Sequence, residues 1–256
     1  MNQTFNVRAR SPEDPDPRAG IVTRLRAFHD ERTDAVAKGT RGVLLLDGGA
    51  LVMHIVLSAG GVERRETTAF AEIARNPDRF RPVGRERIGY LHDRTDYDGL
   101  LVGSNADGLD KPQRAYVRVF RWGALEAVVS SLARTRNDRL LILPELQKMI
   151  VEEVNRYLTS LNACGVTPPM VVFLSLIDVQ GKELLQTELT NVAFPEDLPS
   201  QTLDRDRLQF HERVFESIPV ERAQCATVLR PILDHLANAA GLPAATCFDA
   251  QGRYVW

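Results

Sequence analysis

Residues 113–181 read QRAYVRVFRWGALEAVVSSLARTRNDRLLILPELQKMIVEEVNRYLTSLNACGVTPPMVVFLSLIDVQG, and this stretch decides the fold. In 115–122, Ala115, Val117 and Val119 share one side of an extended chain. Tyr116, Arg118, Phe120 and Trp122 share the other, which is the two-residue period of a strand. Gly123 turns the chain into 124–130, where Leu125, Ala127 and Val129 alternate with Ala124, Glu126 and Val128, so the two segments predict a hairpin. A Trp at a turn position that needs positive φ would be strained. The expectation is therefore another turn type, or a Trp122 held by packing or by a partner. From Pro144 the period changes to three and four: Leu146, Met149, Ile150, Tyr157, Leu158 and Leu161 form one stripe, with Glu145, Lys148, Glu152, Arg156 and Ser160 opposite. Pro144 suits the first turn, where its missing N–H has no partner to lose. Gly165 suits the left-handed position past the end, and Pro168-Pro169 stop the helix. About 20 residues at roughly 1.5 Å each give a rod of about 30 Å, long enough to cross a sheet. Met170–Ile177 follows as a strand that is apolar on both faces.

Outward from this segment, 18–38 predicts a helix with Ile21, Leu25, Phe28 and Val36 in one stripe. Arg32 interrupts the stripe, so this helix is expected to lie on the body rather than inside it. Val43–Leu46 and Leu51–Leu57 flank Asp47-Gly48-Gly49 and predict a second hairpin, with His54 in the middle of an apolar strand. Residues 64–75 predict a short helix ending before Asn76-Pro77, 78–87 a loop, 97–102 a strand and 105–112 a turn-rich loop. Beyond Gly181, 182–192 fits strand or helix, and 207–217 is mostly β-like. Residues 220–240 carry the last helix, with Cys225, Val228, Leu229, Ile232, Leu233 and Leu236 in its stripe and Pro231 inside it. The tail predicts an edge strand. Hairpins with helices between them predict an α+β fold: a single domain over 20–256, with a mostly antiparallel mixed sheet of about six strands covered by long amphipathic helices. Residues 1–19, which include SPEDPDP, are expected to be a flexible segment or the remnant of a preceding domain.

The composition, 44% hydrophobic and 26% charged, is that of an ordinary globular protein. A net charge of −2 supplies no global field for nucleic acid or an anionic membrane, so a nucleic-acid site would have to be a local patch. Cys164, Cys225 and Cys247 are far apart in sequence and odd in number, which argues against a disulfide framework or zinc knuckle. There is no secretory leader pattern and no apolar run long enough to span a bilayer. The expected setting is the cytoplasm, with no membrane and no cofactor.

RLRAFHDERTDAV, LVMHIVL, DYDGLLV, YVRVFRWGALEAV, the long helix, GVTPPMVVFLSLIDVQG and LRPILDHLANAAGL…FDAQGRYVW follow one another over residues 20–256. This succession resembles the region that follows the AlbA-type domain in bacterial Schlafen-like proteins, described as DNA-binding or ATP-binding. The resemblance implies an accessory region rather than the catalytic one. The nuclease carboxylates of animal Schlafens belong to the AlbA-type domain, which is expected to be missing here apart from 5–10, so no catalytic residue is carried over. In relatives the hairpin turn is often Asn-Gly, whereas here it is Trp122-Gly123.

Three groups carry candidate chemistry. Arg79, Arg81, Arg85 and Arg87 with Phe80 offer guanidinium groups and a ring to a phosphate backbone and an unstacked base. A solvated basic loop has the same pattern, and Asp78 and Glu86 dilute its charge. His92, Asp93, Asp96 and Asp98 offer imidazole and carboxylates to a divalent metal, as a metal-dependent phosphodiesterase or nuclease needs. The plainer reading is a polar turn feeding a strand. Tyr116, Phe120 and Trp122 form an aromatic face that would take a protein partner, or a second copy, if uncovered. His54 reads more readily as a satisfied core residue than as a base or ligand. There is no phosphate-binding GxxxxGK[ST] loop and no GxSxG nucleophile turn. The leading expectation is a non-catalytic accessory domain acting through a partner or nucleic acid.

Overall fold

The computed structural model describes residues 17–40, 42–58, 66–84, 91–133, 140–187 and 199–256. Helix α1 (Pro17–Ala37) leads to strand β1 (Ala50–Leu57), then to α2 (Phe70–Arg75) and a 3-10 turn over Pro77–Phe80. Four strands follow: β2 (His92–Thr95), β3 (Gly99–Gly103), β4 (Ala115–Phe120) and β5 (Leu125–Ser130). A short β6 (Leu140–Ile142) runs into α3 (Leu143–Ala163), and β7 (Met170–Ile177) returns. The chain ends with β8 (Glu183–Leu185), β9 (Ser200–Thr202), β10 (Leu208–Gln209), β11 (Arg213–Phe215) and α4 (Arg222–Ala239).

The main sheet has eight strands in the order β10-β7-β1-β5-β4-β3-β2, with β11 also on β7, and every pairing in it is antiparallel. A second sheet, β6-β8-β9, contains the parallel pair β6–β8. The α+β class with a mostly antiparallel sheet therefore holds, with more strands than the sequence suggests. The strands missed are β2, in the segment read as a polar turn, and β6 and β9, each three residues long and too short for periodicity to reveal. Strands β8, β10 and β11 fall where 182–192 fits strand or helix and 207–217 is β-like.

One face of the sheet carries Leu51, Met53, Ile55, Val117, Val119, Leu125, Ala127, Val172 and Leu174 against α3 and α4. The stripe expected on α3 is buried there apart from Met149, which is partly buried, and Val151 and Val154 join it. Cys164 closes this helix, and Gly165 takes φ 91° just beyond it. The other face lies under α1. Leu25 and Phe28 pack there with Val56, Phe120, Trp122, Val171 and Phe173, and Val36 packs with Val52, Tyr116, Val128 and Ile177.

One expectation is corrected and another is borne out. The segment 43–46 does not form a hairpin with β1: Gln113 N–H donates to Leu44 O and Leu46 N–H to Gln113 O, so it runs beside the start of β4. The flanks of β1 are taken by the longer apolar strands β5 and β7. The β4–β5 turn uses three residues: Gly123 N–H donates to Phe120 O, Phe120 N–H to Ala124 O, and Gly123 alone takes positive φ, at 86°. Trp122 is spared the strain, and its indole packs on Phe28 with ring centroids 5.2 Å apart.

Candidate functional site

Between the two apolar clusters under α1 lies a sealed polar cluster. His54 on β1 stands beside Glu126 on β5, and Glu126 stands beside Arg118 on β4, each pair in direct cross-strand register. Phe173 of β7 flanks His54 on its other side. Helix α1 lowers His29, Arg32 and Thr33 onto this row, one turn apart and all buried.

The Arg32 guanidinium grips Glu126 with both ends, Nε to Oε2 at 2.6 Å and NH2 to Oε1 at 2.5 Å. Tyr116 OH donates to Oε1 at 2.9 Å, and His54 Nε2 lies 3.0 Å from Oε2. His29 Nδ1 meets His54 Nδ1 at 2.6 Å, and its Nε2 meets Ser175 Oγ of β7 at 2.8 Å. Aromatic rings wall the cluster: Phe173 stacks on His29, Phe28 sets its edge on His54, and Arg32 lies over Phe120. Burial alone would push the Glu126 carboxyl up, but the hydrogen bonds from His54 and Arg32 and the charge of Arg32 outweigh it and hold the group well below the usual carboxylate range. Burial lowers both imidazoles. It takes His29 to about 2, with His54 and Arg207 adding to the effect, and in His54 it outweighs the attraction of Glu126. The resting state is thus an ionised Glu126, a charged Arg32 and two neutral histidines.

The aromatic face of Tyr116, Phe120 and Trp122 is the floor of this cluster and is covered by α1, because Phe28 and Leu25 need the same apolar surface. The condition for a partner surface there, an uncovered face, is not met in the closed structure. Arg32, read as a flaw in the α1 stripe, lies inside the interface, and its charge is matched there by Glu126.

Of the arginine loop, Arg85 and Arg87 lie outside the described residues. Phe80 is buried in the core beneath α3, so its ring is not available to stack on a base. The backbone here is strapped to α3: Ser160 Oγ donates to Arg79 O, while Arg156 and Tyr157 OH donate to Arg81 O. The Arg79 side chain is exposed and that of Arg81 half-buried.

The His92–Asp98 segment is the β2–β3 hairpin. Asp96 caps the turn by accepting from the Asp98 and Gly99 N–H groups, and its carboxylate takes both contacts from Arg118, at 2.9 and 3.1 Å. Asp98 faces the same guanidinium at 3.6 Å. His92 Nε2 lies 2.8 Å from Ala106 O, and Asp93 is the next residue along an extended strand, so it points to the opposite face. Among the described residues no group of three or more His, Cys, Asp or Glu converges as a metal site would require.

The sequence carried a signal for the polar cluster in three places. Glu126 sits in an apolar strand, Arg32 in an apolar stripe and His54 between valines on one strand face, and each buried polar group needs a partner. Nothing in one sequence says that they are one another's partners. Ser175 carried no signal. No protein-family model, curated protein or solved structure matches the chain.

Proposed function

We propose that this domain works by binding a protein partner rather than by catalysis, as an accessory module of the Schlafen-like kind that its segments resemble. One observation carries the reading. The cluster with the chemistry of an acid–base site, Ser175, His29, His54 and Glu126, is fully enclosed, and its members are consumed by bonds to one another. A substrate would have to displace a whole helix to reach it.

A protein partner is favoured over nucleic acid because so much of the arginine on the surface is already matched. Arg26 pairs with Glu212, Arg75 with Glu72, Arg121 with Glu66, Arg207 with Asp34, Arg222 with Glu152 and Arg253 with Asp249. Affinity for a phosphate backbone grows with unmatched cations, and Phe80 is withheld from the loop that was to supply them. Leu44, Leu46 and Val220 are among the apolar side chains that remain exposed.

Three measurements on the purified chain test this together. Light scattering reads self-association, fluorescence anisotropy reads binding of a labelled single-stranded oligonucleotide at low salt, and a cleavage assay with Mg²⁺ or Mn²⁺ reads hydrolysis. The expected result is no hydrolysis and no salt-sensitive oligonucleotide binding. Salt-sensitive binding lost in Arg79→Ala/Arg81→Ala would replace the protein partner with nucleic acid. Metal-dependent cleavage lost in Asp96→Asn would overturn the non-catalytic reading.

A further inference from the structure

The side chains Ser175, His29, His54 and Glu126 form one unbroken row of hydrogen bonds, with spacings of 2.8, 2.6 and 3.0 Å, running from β7 through α1 to β1 and β5. An ionised carboxylate only accepts, so Glu126 fixes the order of the protons. With both rings neutral, His54 Nε2–H donates to Glu126 and His54 Nδ1 accepts from His29 Nδ1–H. His29 Nε2 then accepts from the Ser175 hydroxyl.

One added proton reverses the row without breaking it. His54 becomes an imidazolium that donates from both nitrogens, His29 accepts at Nδ1, and His29 Nε2–H donates to Ser175 Oγ. Every ring nitrogen keeps a partner, and the Ser175 hydroxyl turns from donor to acceptor. A second proton cannot be housed: both Nδ1 atoms would then carry hydrogen at a separation of 2.6 Å.

The charges around the row make that second proton worse. Arg32 of α1, Arg118 of β4 and Arg207 just before β10 face it with positive charge, while Glu126 of β5 is the carboxylate within it and is already claimed by Arg32. Tyr116 of β4 is neutral, its ionisation opposed by burial and by Glu126. The other carboxylates nearby are engaged elsewhere: Asp96 and Asp98 on Arg118, Asp34 on Arg207, and Asp30 with Gln209 of β10.

We propose that this row is a proton-operated latch on α1. It stays shut with no added proton or with one, and it opens when the second arrives. Opening lifts α1 from the sheet and uncovers the aromatic face of Tyr116, Phe120, Trp122 and Phe173. The strands have no share in the opening, because their ladder bonds run between β7, β1, β5 and β4 and need nothing from α1. Two freed imidazoles of ordinary affinity then bind protons that the closed state refuses. Below about pH 6.5 the open-to-closed ratio should rise between about tenfold and a hundredfold per pH unit.

Hydrogen exchange read by mass spectrometry on the whole chain from pH 7.5 to 4.5, corrected for the intrinsic pH dependence of exchange, tests the latch. The expected result is a loss of protection in α1 peptides of at least about tenfold per pH unit below pH 6 until they exchange freely, while β1, β7 and α3, whose protection starts from a higher level, are still protected at pH 4.5. In a Trp256→Phe chain, which leaves Trp122 as the sole indole, acrylamide should gain access to Trp122 over the same pH range. Both readouts keep all five histidines of the wild-type chain, so neither depends on a variant at the row that fails to fold. Protection in α1 that does not change with pH, or β7 becoming fully exposed at the same pH as α1, overturns the proposal. So does a Trp122 that stays shielded until the whole protein unfolds.

Discussion

Arg32 and Glu126 join helix α1 to the middle of the main sheet through two parallel hydrogen bonds of 2.6 and 2.5 Å in a site closed to solvent. Removing one partner of such a pair leaves a buried charge with no counter-charge, which costs about 3–5 kcal/mol. Arg32→Met should lower the unfolding free energy by that amount in urea titrations. Arg32→Met/Glu126→Gln should lose less than Arg32→Met alone, because the amide is neutral and its carbonyl, at the Oε1 position, still accepts from Tyr116.

Stability should fall as the solution is acidified from neutrality. The folded-state affinities of His29 and His54 for protons are depressed, so below the unfolded value near 6.5 the unfolded chain binds more protons than the native one. Their contribution is fully present above about pH 6.5 and is lost progressively below it, down toward about 2 for His29. With both rings counted the slope approaches about 2.7 kcal/mol per pH unit. Glu126, also depressed, adds to the loss at pH values below the usual carboxylate range. Urea midpoints at fixed salt from pH 7.5 to 5 read the slope directly. A flat profile would mean that the histidines are charged in the native state.

The cysteines should be inert in the native protein. All three are buried free thiols, and burial pushes Cys225 up to about 12, Cys247 up to about 11 and Cys164 upward as well. Iodoacetamide at pH 8 should leave the native chain unlabelled by intact mass and should modify all three thiols in concentrated urea.

Gly99→Ala should be among the most disruptive single-methyl changes. Gly99 adopts φ 153°, and a Cβ there would sit 2.0 Å from the Val119 carbonyl oxygen of the neighbouring strand. Neither the contact nor the backbone can relax without breaking the β3–β4 register. The expected loss is more than about 2 kcal/mol, read from the thermal midpoint.

Much of the framework was legible from residue patterns, and the hidden part has a definite physical character. The alternation in 115–130 correctly sorted Val117, Val119, Leu125 and Ala127 from Tyr116, Phe120, Trp122 and Val128, because strand period alone fixes which face each side chain takes. The α3 stripe and the helix-ending role of Gly165 were equally local. What covers a face is not local. Whether the aromatic face was covered was not legible, because its cover, Phe28 with Leu25, lies some ninety positions earlier in a helix whose stripe Arg32 obscured. The second hairpin failed for a related reason: Asp47-Gly48-Gly49 does turn the chain, with both glycines at positive φ, but turn chemistry cannot say which strand wins the flank of β1. For the candidate sites, His92 and Asp93 looked close only in sequence, whereas His29 and Ser175, separated by 146 positions, meet in space.

That separation bears on how the protein is made. At roughly 5–20 residues per second, α1 leaves the ribosome about 7–30 s before the strand that bears Ser175 exists. Through that interval the helix has no surface to rest on. A stripe of leucines would spend the wait seeking any apolar neighbour, including other unfinished chains. A stripe that alternates Leu25 and Phe28 with His29, Arg32 and Thr33 is comfortable in water until β1, β5 and β7 are assembled. The polar heart of this interface thus lets α1 be the last of the described helices to settle, and it gives newborn copies little reason to cling to one another.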